Sequence, residues 1–214
     1  MYEVEKLLEL PLGRSLSEGN WESHVYELGD VWVYKEIKQP SSIDERVLDY
    51  ESRRLLQTFW NSDVHFHNMV HDYQIFKTEI GDFIPETLFL RQTSLLDKLN
   101  IVTVSVQEKL RGSSLKDTHT DTPQLKDLAN SVRDLCEQTF KAPPDFHPGN
   151  LIITNDQKLF FFDTGTPSDW GYFLDPEKMA DIIKVPHEKA VQLSEFMKPI
   201  HEKHWQKLTE FSVS

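Results

Sequence analysis

Apolar positions along this chain keep two different rhythms. Up to about residue 107, short runs of branched and aromatic residues alternate with turn residues, the pattern of half-buried strands. From about residue 122, apolar residues recur every three or four positions, the pattern of helices with one buried face. The first half predicts five strands. Two lie within Leu12–Leu28 around a tight loop at Ser17–Ser23, and the others are Val31–Ile37, Ile84–Leu90 and Ile101–Val106. One helix is expected there, over residues 42–60, with Ser41 or Ser42 as its cap, Glu45 in the capping box, and Val47, Leu48 and Leu55 in its stripe. Residues 2–10 are weakly amphipathic and read as a short helix or a lead-in strand. In the second half, Leu125, Leu128, Ala129, Val132, Leu135, Cys136 and Phe140 predict a helix over 122–140. Two strand-like runs, Leu151–Thr154 and Leu159–Phe162, flank a polar turn at Asn155–Asp156. Two closing helices are expected near 175–183 and 186–210, with Pro186 between them.

This pattern places several chemically capable residues. A hairpin of the two late strands brings Asp145 and Asn150, which precede it, close to Asp163, which follows it. One amide and two carboxylates converging there suit a hard divalent cation. In Val31–Ile37, Lys35 shares a strand face with Val31 and Val33; it either snorkels to water or reaches an anion. Glu51 falls in the apolar stripe of the 42–60 helix, where a carboxylate wants a cationic partner, and Lys35 is the natural candidate. The alternative is a solvated Glu51 at the stripe's edge. His65, His67 and His71 form no zinc spacing with further ligands, so structural or surface roles are expected.

Composition narrows the classes. The formal net charge of −12 argues against nonspecific binding to nucleic acid or an anionic membrane. No apolar run approaches the ~18 residues of a transmembrane helix, and the first residues carry no secretory pattern. A single cysteine, Cys136, fits a reducing, cytoplasmic compartment and reads as a buried small apolar residue.

Taken in order, Lys35, Glu51, Asp145-Phe-His-Pro-Gly-Asn150 and Asp163-Thr-Gly165 resemble the kinase-like superfamily of protein kinases and aminoglycoside or choline phosphotransferases. The likeness spans roughly residues 12–167, and the form DFHPGN is most similar to the small-molecule branch. The resemblance implies an α+β, two-lobed fold. Residues 1–107 would be a nucleotide-binding lobe with a five-stranded antiparallel sheet and one helix, 108–115 a hinge, and 116–214 a reduced, mainly helical lobe. It further implies ATP and Mg²⁺ as cofactors, with Asn150 and Asp163 on the metal and Asp145 orienting the acceptor and taking its proton. Lys35 would bind the α- and β-phosphates and act in catalysis, with Glu51 fixing its ammonium. Gly19, in the phosphate loop, would contact the nucleotide, and backbone between Glu108 and Leu110 would meet the adenine edge. The partners expected are a nucleotide and a small-molecule or protein acceptor.

The sequence departs from the family pattern in places. Pro143-Pro144 stands where a His-Arg or His-Gly pair usually precedes the aspartate, only Gly19 remains in the phosphate loop, and Thr164 is the middle residue of the Asp163 triplet. Three rival readings follow: a kinase-shaped binding protein, an AMP transferase, and an aspartic protease built on Phe-Phe-Asp163-Thr-Gly. The last needs a second such aspartate.

Overall fold

The computed structural model describes residues 4–16, 23–37, 50–96, 98–118, 122–139, 144–163 and 175–212. The expected Ser41/Ser42 cap, Glu45, Val47, Leu48 and the phosphate-loop Gly19 lie outside them. The chain divides into two compact units, residues 1–66 with 86–109, and residues 67–85 with 110–214.

The first unit is built on an antiparallel sheet of β1 (Leu12–Ser15), β2 (Ser23–Leu28), β3 (Trp32–Ile37), β4 (Thr87–Thr93) and β5 (Ile101–Glu108), in the order β1-β2-β3-β5-β4. Pairing registers Tyr26 with Tyr34, Tyr34 with Val106, and Val106 with Leu88. Because side chains alternate across a sheet, one face collects Leu28, Tyr34, Val102, Val104 and Val106. Leu8 of the short helix α1 (Val4–Leu8), with Leu10 and Leu12, packs on that face. Lys35 belongs to the other face, level with Val25 and Ser105, and is half-buried. Val33 shares its face as expected, whereas Val31 sits in the preceding turn and is exposed.

Two helices follow, α2 (Tyr50–Trp60) and α3 (Asp63–Glu79). Leu55, Phe59 and Trp60 are the buried side of α2. The corner after it is tied to the sheet: Thr103 donates its N–H to Asn61 Oδ1 at 2.9 Å and its hydroxyl to the Trp60 carbonyl at 3.1 Å. Arg91 pairs with Asp63 and donates to the Asn61 carbonyl. The expectation of one helix in the first half omitted α3. Phe66, Met69, Tyr73 and Phe76 recur at helical spacing, but Val64 and Ile75 lie off that side and two buried positions, His65 and Asp72, are polar, so the stripe is blurred. The Ser62 hydroxyl caps it, accepting the His65 N–H at 3.1 Å.

The second unit takes residues 67–85 because Phe76, Ile80 and Ile84 belong to its core. They meet the buried face of α5 (Pro123–Thr139), made by Leu125, Leu128, Ala129, Val132, Leu135 and Cys136. Against the same core lies a three-stranded sheet of β6 (Gly112–Ser114), β7 (Leu151–Thr154) and β8 (Leu159–Phe161). Its first strand lies within residues 108–115. Glu108 ends β5, and Gly112–Ser114 pairs with β7 before the short helix α4 (Leu115–Thr118). Gly112 allows this: a Cβ there would press on the Ile153 carbonyl and lie 2.7 Å from Thr154 Cα. Helix α6 (Pro176–Ile183) is capped by Asp175, whose Oδ1 accepts the Lys178 N–H at 3.2 Å. Helix α7 (His187–Ser212) closes the chain and buries Ala190, Leu193, Met197, His201, His204 and Leu208. Among the described residues no helix is long and apolar enough to cross a membrane.

Candidate active site

The site is best built outward from Phe146. This ring is fully buried, edge-on to Phe161 of β8 at 5.0 Å and to Phe211 of α7 at 5.7 Å. Anchoring it fixes the backbone on either side, and the preceding residue, Asp145, keeps its side chain 41% exposed. A 3-10 turn, Pro148–Asn150, then leads into β7. His147 opens that turn. Its Nδ1 accepts the Gly149 N–H at 2.9 Å, which places the ring proton on Nε2, 3.3 Å from Asp145 Oδ2. Gly149 is glycine for a local reason: a Cβ would lie 2.5 Å from Cε1 of the His147 ring.

Asn150 locks the loop from its other end. It is buried, and its Nδ2 donates to the Asp145 carbonyl at 2.9 Å and to Asp145 Oδ2 at 3.3 Å. Its carbonyl accepts the Phe162 N–H at 3.0 Å, extending by one step the ladder that pairs Leu151 with Phe161. Asn150 and Asp163 therefore stand at the same end of the β7–β8 hairpin, as the strand pattern predicts. Asp163 is half-buried and has a φ of 54°, the left-handed region that aspartate tolerates better than most residues. With Nδ2 committed, Asn150 offers a cation its Oδ1.

The second oxygen of Asp145 is held from a distant part of the chain. His204 of α7 places Nε2 3.1 Å from Oδ1. Burial pushes the Asp145 carboxyl up, but the hydrogen bonds from His147 and His204 outweigh it and hold the group well below the ordinary carboxylate range. The result is a carboxylate that stays ionised, is fixed at both oxygens and remains open to solvent.

Of the other expected residues, Lys35, Glu51 and Glu108 occupy the first unit and Leu110 the second. Glu51 lies in the first turn of α2 and is exposed. Of the expected stripe, Leu55 is described and is buried. Glu108 is exposed; its N–H donates to the Glu86 carbonyl, and the next N–H, of Lys109, to the Val31 carbonyl, both at 2.8 Å. Leu110 is half-buried. Lys109 also bonds Glu27 at 2.9 Å, which with the charges of Lys109 and Arg14 keeps the Glu27 carboxyl below its usual range against some desolvation. His65 is buried edge-on to Phe59, while His67 and His71 are exposed. Among the described residues no group of three or more His, Cys, Asp or Glu is arranged to hold a metal.

Sequence reasoning named Asp145, Asn150 and Asp163 but assigned nothing to His147 or His204. The first lies inside the loop it supports. The second carried a faint signal only, a polar residue in register with Met197, Leu208 and Phe211 on the apolar side of a helix.

No family model matches the chain, and no curated protein matches it in sequence. Among solved structures it is similar to WbdD, at 16% identity and a TM-score of 0.43 over 88% of this chain and 46% of that one. It is similar to a second WbdD structure, described as a bifunctional kinase-methyltransferase, at 17% identity and a TM-score of 0.38, covering 87% of this chain and 43% of that one. It is also similar to Rv3197 of Mycobacterium tuberculosis, solved in complex with erythromycin, at 13% identity and a TM-score of 0.41, over 76% and 50% of the two chains. The chain thus spans about half the length of these solved proteins. In its own order of parts the chain has a five-stranded antiparallel sheet carrying Lys35 on its third strand, then a helical part holding the Asp145 loop and a hairpin that ends at Asp163.

Proposed function

We propose that this chain is a Mg²⁺-dependent phosphotransferase that moves the γ-phosphate of ATP to a hydroxyl of a small molecule or a protein. The observation that carries the reading is Asp145, ionised, held at both oxygens, solvent-open, and followed by Asn150 and Asp163 at one hairpin end. Phosphoryl transfer asks for such positioning more than for covalent chemistry. In the step, the acceptor oxygen bonds the γ-phosphorus while the bond to the β–γ bridging oxygen breaks, ADP leaves with that electron pair, and Asp145 takes the acceptor's proton.

One amide and one carboxylate fit Mg²⁺, which commonly takes few protein ligands and fills its shell with phosphate oxygens and water. When bound it would neutralise phosphate charge. Lys35 would bind the α- and β-phosphates, and Glu51 would fix its ammonium. With the N–H groups of Glu108 and Lys109 already committed, the adenine edge would use carbonyl oxygens or the Leu110 N–H. The aspartic-protease alternative lacks support, since the described residues after Asp163 form two helices and the sequence holds no second Asp-Thr-Gly.

The test is transfer from γ-labelled ATP across panels of hydroxylated small molecules and of proteins. Asp145→Ala should keep nucleotide binding and lose transfer; loss of both would mean that the roles are misassigned. Nucleotide binding by the unmodified protein without transfer to any acceptor or to water would assign it instead as a kinase-shaped binding protein.

A further inference from the structure

Asp145 is an exposed carboxylate whose orientation is set by groups that the loop alone does not supply. Oδ2 is shared by His147 and Asn150, both from the loop itself. The residue before it, Pro144, carries no side-chain donor. Oδ1 is met by His204, whose Nε2 lies 3.1 Å away and whose side chain is only 9% exposed. Without that contact one oxygen would be held and the carboxylate could turn about its own axis.

The position of the His204 ring is imposed by packing. Met197, His201, His204, Leu208 and Phe211 follow helical spacing on one side of α7. Leu208 is fully buried in the second unit's core, and Phe211 stacks edge-on against Phe146, the neighbour of Asp145. Two contacts, one apolar and one polar, therefore join the end of α7 to consecutive residues of the loop. A buried imidazole on a well-packed helix is a stiff support.

We propose that His204 is a positioning residue for the transfer step, fixing the plane of the Asp145 carboxylate and making α7 part of the active site. This rests on the phosphotransferase reading. Positional errors of about an ångström at a reacting group cost roughly 100-fold in rate. His204→Phe, which keeps bulk and removes the donor, should lower kcat for MgATP turnover to water by about that factor, with KM for MgATP unchanged within about two-fold. His204→Gln keeps an N–H donor on a flexible side chain and should recover turnover to within about ten-fold of the unmodified protein.

A spectroscopic arm does not depend on turnover. In ¹⁵N-histidine spectra of the intact chain, the His204 Nε2–H resonance should sit downfield and move on Asp145→Asn. A donor-free variant with undiminished kcat, a His204→Gln protein no better than His204→Phe, or a His204 resonance indifferent to Asp145→Asn would each overturn the proposal. If the unmodified protein neither binds nor turns over MgATP, the phosphotransferase reading falls and the catalytic role of His204 with it. The resonance then still decides whether His204 holds Asp145.

Discussion

In each of the two units one carboxylate stands out for how other side chains grip it, and the two grips differ in kind. In the first unit, Glu36 is 3% exposed; its Oε2 accepts the Tyr34 hydroxyl at 2.5 Å and its Oε1 the Ser94 hydroxyl at 2.9 Å. Tyr34 and Ser94 are themselves buried, and burial followed by the Glu36 charge pushes the Tyr34 phenol well up. Every group in that cluster faces another, so it has nothing to offer a ligand. In the second unit, Asp145 is held by three groups, His147, Asn150 and His204, but remains 41% exposed. The partner count does not separate a structural carboxylate from a functional one. What separates them is whether, after every hydrogen bond is made, the charge still meets solvent.

Substitutions should therefore split cleanly between stability and activity. The largest effect expected is on activity: Asp145→Ala should reduce phosphate transfer roughly a thousand-fold, the scale of a lost proton acceptor, while the thermal melt changes little. Next comes Gly112→Ala, which forces a Cβ onto the backbone of β7 and should destabilise the second unit by about 3 kcal/mol in denaturant unfolding. Glu36→Ala leaves two buried hydroxyls without their acceptor and should cost about 2 kcal/mol with no change in turnover once folded. Gly149→Ala displaces the His147 ring, which is partly exposed, so a stability change under about 1 kcal/mol should accompany a clear fall in transfer. A Glu36→Ala protein that folds normally but loses transfer would break the distinction between the two clusters.

The smallest expected effect is alkaline. Burial first, then the Asp72 and Glu137 charges, pushes the Cys136 thiol from 9.0 up to about 12. A group whose folded pKa is raised contributes stability that is fully present below its unfolded value and is lost as pH rises through the folded one. Melting temperature should thus hold up to about pH 9 and decline above it. Tyr34→Phe should blunt this decline through the first unit and Cys136→Ala through the second. Equal declines in all three proteins would mean that other groups govern it.

How far the sequence revealed this arrangement follows from how local each feature is. The β7–β8 hairpin and the buried face of α5 are written in short-range periodicity, and both form over the expected residues. Cys136 is buried within that face, as its place in the pattern predicts. Asp145, Asn150 and Asp163 were legible because a loop–hairpin unit carries all three. Helix α3 was not, because two of its three buried positions, His65 and Asp72, are polar and blur the stripe by which helices are recognised. Strand β6, three residues reading Gly-Ser-Ser, has strand geometry only through its pairing with β7. Glu36 looked like an ordinary polar strand residue until Ser94 and Tyr34 were placed beside it. His204 reaches Asp145 only when α7 folds onto the loop, which no local pattern encodes.

The measurement that tests the central claim most directly is a thermal-shift titration with ATP, with and without Mg²⁺, on the unmodified chain and on Asp163→Ala. Ligand that binds only the folded state raises the melting temperature as its concentration exceeds Kd. ATP should stabilise the unmodified chain, Mg²⁺ should add to the shift, and Asp163→Ala should remove the Mg²⁺-dependent part alone. No shift at millimolar ATP, or a Mg²⁺ increment that survives Asp163→Ala, would contradict the assignment.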